Sequence, residues 1–372
     1  MQFTELSTVK HRVVVGAPLP FNVRDADRTL LLARGHVIAS IEQMDALLQR
    51  GALVDIAELQ TRADRIRLAP RDKLHALWRN CLNDVGDTLR QSAHEGFAMA
   101  LDATTPAVVA LVERDPDLAI FQVLRQDANE SMEYGIDHSL HAAICAFLVA
   151  QRLTWTDDEC QRVFKAALTM NISMLELQGQ LAHQTTPVSP EQREAIHAHP
   201  EFSVRMLEIS GITDADWLEA VADHHEVAGG GGYPRGLHAV SDMAALVRRA
   251  DVYTAMLSGR GSRSAMAADQ AGRMMFMQDA GHPMTAALVK EFGVYPAGCF
   301  VRLVSGETGI VVKRGPTVTT PVVAALTSPS GATLTEPVRR DTSQREHAVH
   351  SVLSVHSGFS RVTPEKLIAL AA

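Results

Sequence analysis

Four consecutive glycines, Gly229 to Gly232, lie between His224-His225-Glu226-Val227-Ala228 and Tyr233-Pro234-Arg235-Gly236-Leu237. Glycine lets a backbone approach a ligand closely and adopt φ values that other residues avoid. Imidazole is the commonest metal ligand among side chains. Two imidazoles and a carboxylate leading into such a loop, closed by Tyr-Pro, have two readings. One is a ligand-bordering loop beside a metal centre. The other is a helix ending in a flexible glycine turn, with one histidine packed and one solvated.

The 372 residues suit two or three domains. An apolar share of 46% with 21% charged residues is that of a soluble globular chain able to bury a sizeable core. A net charge of −8 and a pI near 6.0 argue against a broad electrostatic footprint for DNA or an anionic membrane. They leave room for a small anion in a locally basic pocket. Cys81, Cys145, Cys160 and Cys299 are scattered, with no C-x-x-C pair, which fits a reducing cytoplasm and neither a disulfide framework nor a cysteine zinc site. The start, Met1-Gln2-Phe3-Thr4-Glu5, has no basic stretch followed by an apolar core, and the longest apolar runs, such as Ala142 to Ala150, are too short to cross a bilayer. A cytoplasmic protein is expected.

Hydrophobic periodicity divides the chain. Val13-Val14-Val15 and Leu30-Leu31-Leu32 read as short strands, and Ser40-Ile41-Glu42-Gln43 as a capping box opening a helix to about Arg50, ended by Gly51. Residues 1–65 thus form a small α/β module of sensory, packing or dimerising type. Residues 66–117 read as a helical linker. In it Leu74, Leu77, Trp78, Cys81, Leu82, Val85 and Leu89 recur at helical steps over Asp72–Met99, either packing on their own domain or offering a homodimer contact. Pro106 and Pro116 punctuate the stretch after it. Residues 118–290 read as nearly all helix, with capping boxes at Thr156-Asp157-Asp158-Glu159 and Ser189-Pro190-Glu191-Gln192. Between these boxes Val163, Ala167, Met170, Met174, Leu177 and Leu181 form one apolar line along a helix. Residues 291–372 turn β-rich, with strands at Phe300–Val304, Gly309–Val312 and Val322–Ala324, then a polar tail and a last helix opened by Thr363-Pro364. The fold class is mainly α, with a small N-terminal α/β module and a short C-terminal β-rich appendage.

The paired-histidine stretch resembles the signature of the HD-GYP family of bacterial phosphohydrolases, HHE-x-x-D-G-x-G-Y-P-x-G-L, except that Gly229 stands where the family has Asp. Further segments agree in order and spacing, and the resemblance runs from about Glu130 to Ala325. Tyr134-Gly135-Ile136-Asp137-His138-Ser139 is similar to Y-T-x-x-H-S, His199-Pro200 to H-P, and Ala250-Asp251-Val252-Tyr253-Thr254-Ala255 to A-D-V-Y-D-A. Arg260 and Arg263 sit near R-P-Y-R, and Tyr295-Pro296-Ala297-Gly298 with Val301-Arg302-Leu303 resemble Y-P-x-G-x-x-V-x-L. The resemblance implies an HD-type all-helical domain and metal ligands at His138, His199, His224, His225 and Asp251. It also implies a nucleotide pocket bordered by Gly232, Tyr233, Pro234 and Arg235. Arg235, Arg248, Arg249, Arg260 and Arg263 are candidate phosphate contacts, since guanidinium pairs bidentately with phosphate oxygens. The family hydrolyses cyclic di-GMP at two or three metal ions, and its Gly-Tyr-Pro loop has been linked to diguanylate cyclases.

The central motif departs. Where the family has H-D-I-G-K, this chain reads Met170-Asn171-Ile172-Ser173-Met174. In the family the aspartate bridges two cations about 3.5–4 Å apart, and water between them attacks phosphorus. Asn171 is neutral and offers one carbonyl oxygen and an NH₂ that faces a cation badly. Met170 offers a thioether, a ligand for Cu(I) and not for harder ions. Met174 replaces a phosphate-facing lysine. No catalytic set is therefore expected to be intact at Met170, Asn171 and Met174. The expected cofactor is none, or a single Fe, Mn or Zn ion held by His199, His224 and His225. The alternative is that these histidines are hydrogen-bonded remnants, and His141, His183 and His197 read as ordinary surface or core residues. The expected function is a signalling protein without ordinary phosphodiesterase activity that binds cyclic di-GMP or a protein partner. The rivals are an active phosphodiesterase with a reduced site, helped by Asp137 or Glu133, and a pure interaction scaffold.

Overall fold

The structure is a computed structural model that describes residues 2–125, 133–259, 261, 264–353 and 364–371. The chain divides into two units, Met1–Ala69 and Pro70–Ala372.

In the first unit, β1 (Phe3–Glu5), β2 (Val23–Arg24), β3 (Leu30–Leu32) and β4 (Leu53–Asp55) form an antiparallel sheet in the order β1-β4-β2-β3. α1 (Ile41–Gln49) is capped by the Ser40 hydroxyl, which accepts from Gln43 N–H, and α2 (Ile56–Leu59) and α3 (Arg62–Leu68) follow. Leu6, Leu19, Phe21, Val23, Ile38 and Val54 are fully buried or nearly so in its own core. Val13-Val14-Val15 is not a strand. Three apolar residues in a row need cover on both faces, and here Val14 and Val15 stay 66% and 38% exposed after a 3-10 helix over Leu6–Arg12.

The second unit begins with α4 (Leu74–Arg90) and α5 (Phe97–Arg114), separated by a turn that ends at Gly96, whose φ is +88°. One helical pattern over Asp72–Met99 is thus two helices. Leu74, Trp78, Cys81, Val85 and Leu89 are buried inside the unit, where α4 packs on α5. Pro106 lies within α5 and does not break it. The helix is buried from Ala107 to Val112, and that packing outweighs the backbone bond a proline forfeits. Pro116 opens α6 (Pro116–Leu124) at its favoured first position, with Asp115 as cap.

α7 (Glu133–Arg152) runs through the middle of the bundle and packs against α6, α8 (Asp157–Thr169), α9 (Leu175–His183), α12 (Asp242–Leu257) and α14 (Pro283–Phe292). Its segment Ala142–Ala150 is buried on every side, which explains an apolar run without helical alternation. α10 (Pro190–Ile209), α11 (Ala215–Asp223) and α13 (Ala268–Gln278) complete the bundle. The Thr156/Glu159 and Ser189/Gln192 capping boxes both form. The apolar line from Val163 to Leu181 is interrupted. α8 ends at Thr169, a turn occupies residues 170–174, and α9 begins at Leu175. Met170 and Met174 are therefore helix-end residues on either side of a turn and not neighbours along one helix. No helix of the described residues is long and apolar enough to cross a membrane.

The unit closes with a five-stranded antiparallel sheet in the order β8-β7-β6-β5-β9: β5 (Phe300–Leu303), β6 (Thr308–Lys313), β7 (Val322–Thr327), β8 (Thr333–Asp341) and β9 (Val349–Leu353). β8 and β9 fall in the stretch that reads from sequence as a polar tail. They are edge strands, and β8 is largely solvent-exposed, so neither needs an apolar pattern. Arg314, at the end of β6, ties the sheet to the helices through Asp117 on α6 and Glu291 on α14. α15 (Pro364–Ala369) follows.

Candidate metal centre

Three imidazoles converge where α10 passes the end of α11. His199 is buried in mid-α10, His224 is the residue at which α11 stops, and His225 follows it, half-buried. One ligand atom from each lies within 4.8 Å of the others. The His199 Nδ1 donates to the Ile196 carbonyl (2.5 Å), and the His224 Nδ1 to the Val221 carbonyl (2.7 Å). A carbonyl only accepts, so each Nδ1 carries the proton and each Nε2 presents a lone pair.

Those two Nε2 atoms are 3.1 Å apart. Burial, then the nearby His224, pushes His199 down to about 3. Burial also lowers His224, and burial with its two imidazole neighbours takes His225 well below its ordinary value. Both shifts favour the neutral imidazoles, and a cation between the facing lone pairs would reconcile them. Two nitrogens bound to one zinc at ~2.0–2.1 Å would sit about 3.3 Å apart in a tetrahedral arrangement, close to what is seen. The residues present fit a single divalent ion.

His138 on α7 and Asp251 on α12 form the other half of the site, and they are engaged with each other. The His138 Nε2 lies 2.7 Å from the Asp251 Oδ1. Burial works against the Asp251 carboxylate, but the hydrogen bond and charge of His138, with His225 and His224 behind it, hold its pKa well below the usual carboxylate range. The His138 Nδ1 is buried without a partner among the described residues. One turn further along α7, His141 is also buried, and burial, then His138, pushes it down to about 3.

Met170 is fully buried, Asn171 is 2% exposed, and Met174 is half-buried at the start of α9. The Asn171 Oδ1 has no partner among the described residues, a polar atom left inside what is otherwise core. The turn carrying these residues is held by Ser173, whose hydroxyl donates to the His199 carbonyl (2.9 Å) and faces the Ser203 hydroxyl. Asp137 is exposed, and the Glu133 side chain lies outside the described residues.

Glu226 is not a ligand but a clamp. Its buried carboxylate accepts from the backbone N–H groups of Arg235 (2.7 Å), Gly236 (3.1 Å) and Leu237 (3.0 Å) and so folds the glycine loop back on itself. Gly232 is required there, because a Cβ would come within 2.4 Å of the Glu226 Cα and the Val227 nitrogen. The Tyr233-Pro234 peptide is cis. The Tyr233 ring is stacked between His225 (4.5 Å) and His197 (4.9 Å), a role for His197 that its sequence context does not signal.

The arginines divide. Arg235 pairs with Asp223, and Arg249 with Asp279 and Thr285. Arg260 and Arg263 lie outside the described residues. Arg248, one turn before Asp251 on α12, is half-buried with no hydrogen bond or ion pair among the described residues, and its charge reaches His225 and Tyr233.

Residues 122–282 match the HD domain family. Among curated proteins, the chain is 29% identical over 214 residues to the cyclic di-GMP phosphodiesterase PA4108 of Pseudomonas aeruginosa, spanning 56% of this chain and 50% of that protein. It is 28% identical over 145 residues to the 3′3′-cGAMP-specific phosphodiesterase 3 of Vibrio cholerae, spanning 38% of this chain and 31% of that protein. The chain thus spans half the length or less of these relatives. Among solved structures, it is similar to Bd1817, an HDG"Y"P protein from Bdellovibrio bacteriovorus, with a TM-score of 0.46 and 15% identity over 78% of this chain and 98% of that one. These similarities support membership of the HD-GYP family, with the HD domain at residues 122–282.

Proposed function

We propose that this chain is a divergent HD-GYP signalling protein that binds cyclic di-GMP without hydrolysing it at an enzymatic rate. The observation that carries this reading is the pairing of His138 with Asp251, in a chain that has buried Met170 and Asn171 in place of the family's His-Asp. Two groups that would otherwise serve a second cation satisfy each other, and Asn171 supplies no carboxylate to bridge a second cation to the three-imidazole cluster. His199, His224 and His225 would hold one Fe, Mn or Zn ion, which supplies a positive charge for a phosphate oxygen. The remaining steps belong to the protein's own groups. Arg248, unpaired among the described residues, offers its guanidinium to the phosphate, and the clamped Gly232-Tyr233-Pro234 loop walls the cleft. Arg235, held by Asp223, supports the loop and contributes little to the ligand. A diguanylate cyclase is a candidate protein partner for the same loop.

The second reading is a phosphodiesterase with a reduced site. What favours it is the unsatisfied Asn171 Oδ1 together with the unsatisfied His138 Nδ1, two buried atoms that would accept a weak second cation. Calorimetry with cyclic di-GMP and a hydrolysis assay on the same sample, with Mn or Fe added, separate the two. Binding with no turnover supports the proposal, and turnover at ~1 per second or faster overturns it.

A further inference from the structure

On the same helix as His199, an open groove of about 510 Å³ runs along the first two turns of α10, lined by Val188, Pro190, Arg193, Glu194, His197 and Ala198. Pro190, Arg193, Glu194 and His197 recur at helical spacing and so share one face. Tyr233 lies against the His197 ring at 4.9 Å and 25°, and against His225 at 4.5 Å and 18°. A ladder of three stacked rings thus joins the groove to the imidazole cluster. His197 is exposed, leaving ring surface open to the groove. Arg193 and Glu194 are exposed neighbours of opposite charge whose side chains make no hydrogen bond or ion pair among the described residues.

We propose that this groove is a guanine subsite, with His197 as the stacking platform and Arg193 and Glu194 reading the base edges; the inference rests on the cyclic di-GMP reading above. Bases stack on aromatic rings whatever their identity, so His197 supplies affinity without choice. The choice comes from the charged pair. A guanidinium donates two hydrogen bonds to the O6 and N7 of guanine. A carboxylate accepts from its N1–H and N2–H₂. Adenine presents an amino group where guanine has O6 and a bare nitrogen where guanine has N1–H, so of these contacts only the one to N7 would keep its partner. The ring ladder links a base in this groove, through His197 and Tyr233, to His225 of the cluster that would receive a phosphate.

The test is calorimetry on the full chain with cyclic di-GMP, GMP and AMP, using wild type, His197→Ala, His197→Phe and Glu194→Gln, with thermal melts to verify folding. GMP should bind about tenfold or more tighter than AMP. His197→Ala should weaken cyclic di-GMP about tenfold and His197→Phe should restore it. Glu194→Gln should bring the GMP-to-AMP ratio towards one, a change that a merely structural residue would not cause. If cyclic di-GMP binds and all three variants match wild type in affinity and base preference, the groove proposal is overturned and the functional reading stands. If GMP binds with this dependence but cyclic di-GMP does not, the groove stands and the functional reading falls. If no guanine nucleotide binds, both fall.

Discussion

Buried neutral imidazoles make the metal-free protein sensitive to mild acid, and the size of that effect can be worked from the structure. His141 and His199 are both pushed from 6.5 down to about 3, chiefly by burial. Between these values the unfolded chain binds a proton that the folded chain refuses, so stability falls as pH falls below about 6.5 and continues to fall until about 3. From pH 7 to pH 5, each such histidine costs about 2 kcal/mol. The pair therefore costs about 4 kcal/mol, a large fraction of a typical folding free energy. His224 and His225 are shifted in the same direction and add to the loss. Asp251, depressed below its ordinary value, adds nothing in this window, because its contribution is lost only at lower pH. The assay is urea denaturation of chelator-treated protein at pH 7, 6 and 5, repeated with His141→Asn, which should remove about 2 kcal/mol of the pH dependence. A midpoint that does not move between pH 7 and 5 would show that these imidazoles are not held neutral and would undo the tautomer argument for the cluster.

Other consequences are open to direct measurement. Glu226→Gln replaces one acceptor with a donor facing backbone N–H groups, and should cost about 1.5–3 kcal/mol in the denaturation midpoint while leaving metal content unchanged. Proteolysis near the glycine loop should rise in the same variant. Met170→His with Asn171→Asp adds an imidazole and a carboxylate charge at two buried positions, and should lower stability by about 1–3 kcal/mol without adding a second ion. A second tightly bound ion at unchanged stability would show that the cleft survives. Arg248→Ala should weaken cyclic di-GMP by roughly 10–100-fold in calorimetry, with the melting temperature near wild type, because the guanidinium has no partner to lose among the described residues.

Local chemistry is the part of this structure that reads directly from sequence. Ser40, Thr156 and Ser189 cap helices where their side chains say they should, because a cap depends on residues three positions apart. The gathering of His199, His224 and His225 is what the resemblance to the HD-GYP pattern implies, and the structure brings the three together. What is not legible depends on distant partners. His138 and Asp251 are 113 residues apart, and nothing in either segment reveals that they satisfy each other. The turn between α8 and α9 is hidden because Val163 to Leu181 keeps a helical period across it, while Ser173 and Ser203 hold the break from another helix. The clamp formed by Glu226 is invisible for the same reason, since its partners are backbone groups that carry no sequence mark. Edge strand β8 escapes notice because its exposed side chains follow solvent rather than a core.

The central claim is that one cation, not two, has a home in this chain. The direct test is metal content by mass spectrometry on protein purified without chelator, alongside cyclic di-GMP hydrolysis on the same preparation. The account predicts at most one Fe, Mn or Zn ion per chain, lost on His224→Ala, and no turnover approaching ~1 per second. Two or more tightly held ions per chain, with hydrolysis at that rate, would contradict it.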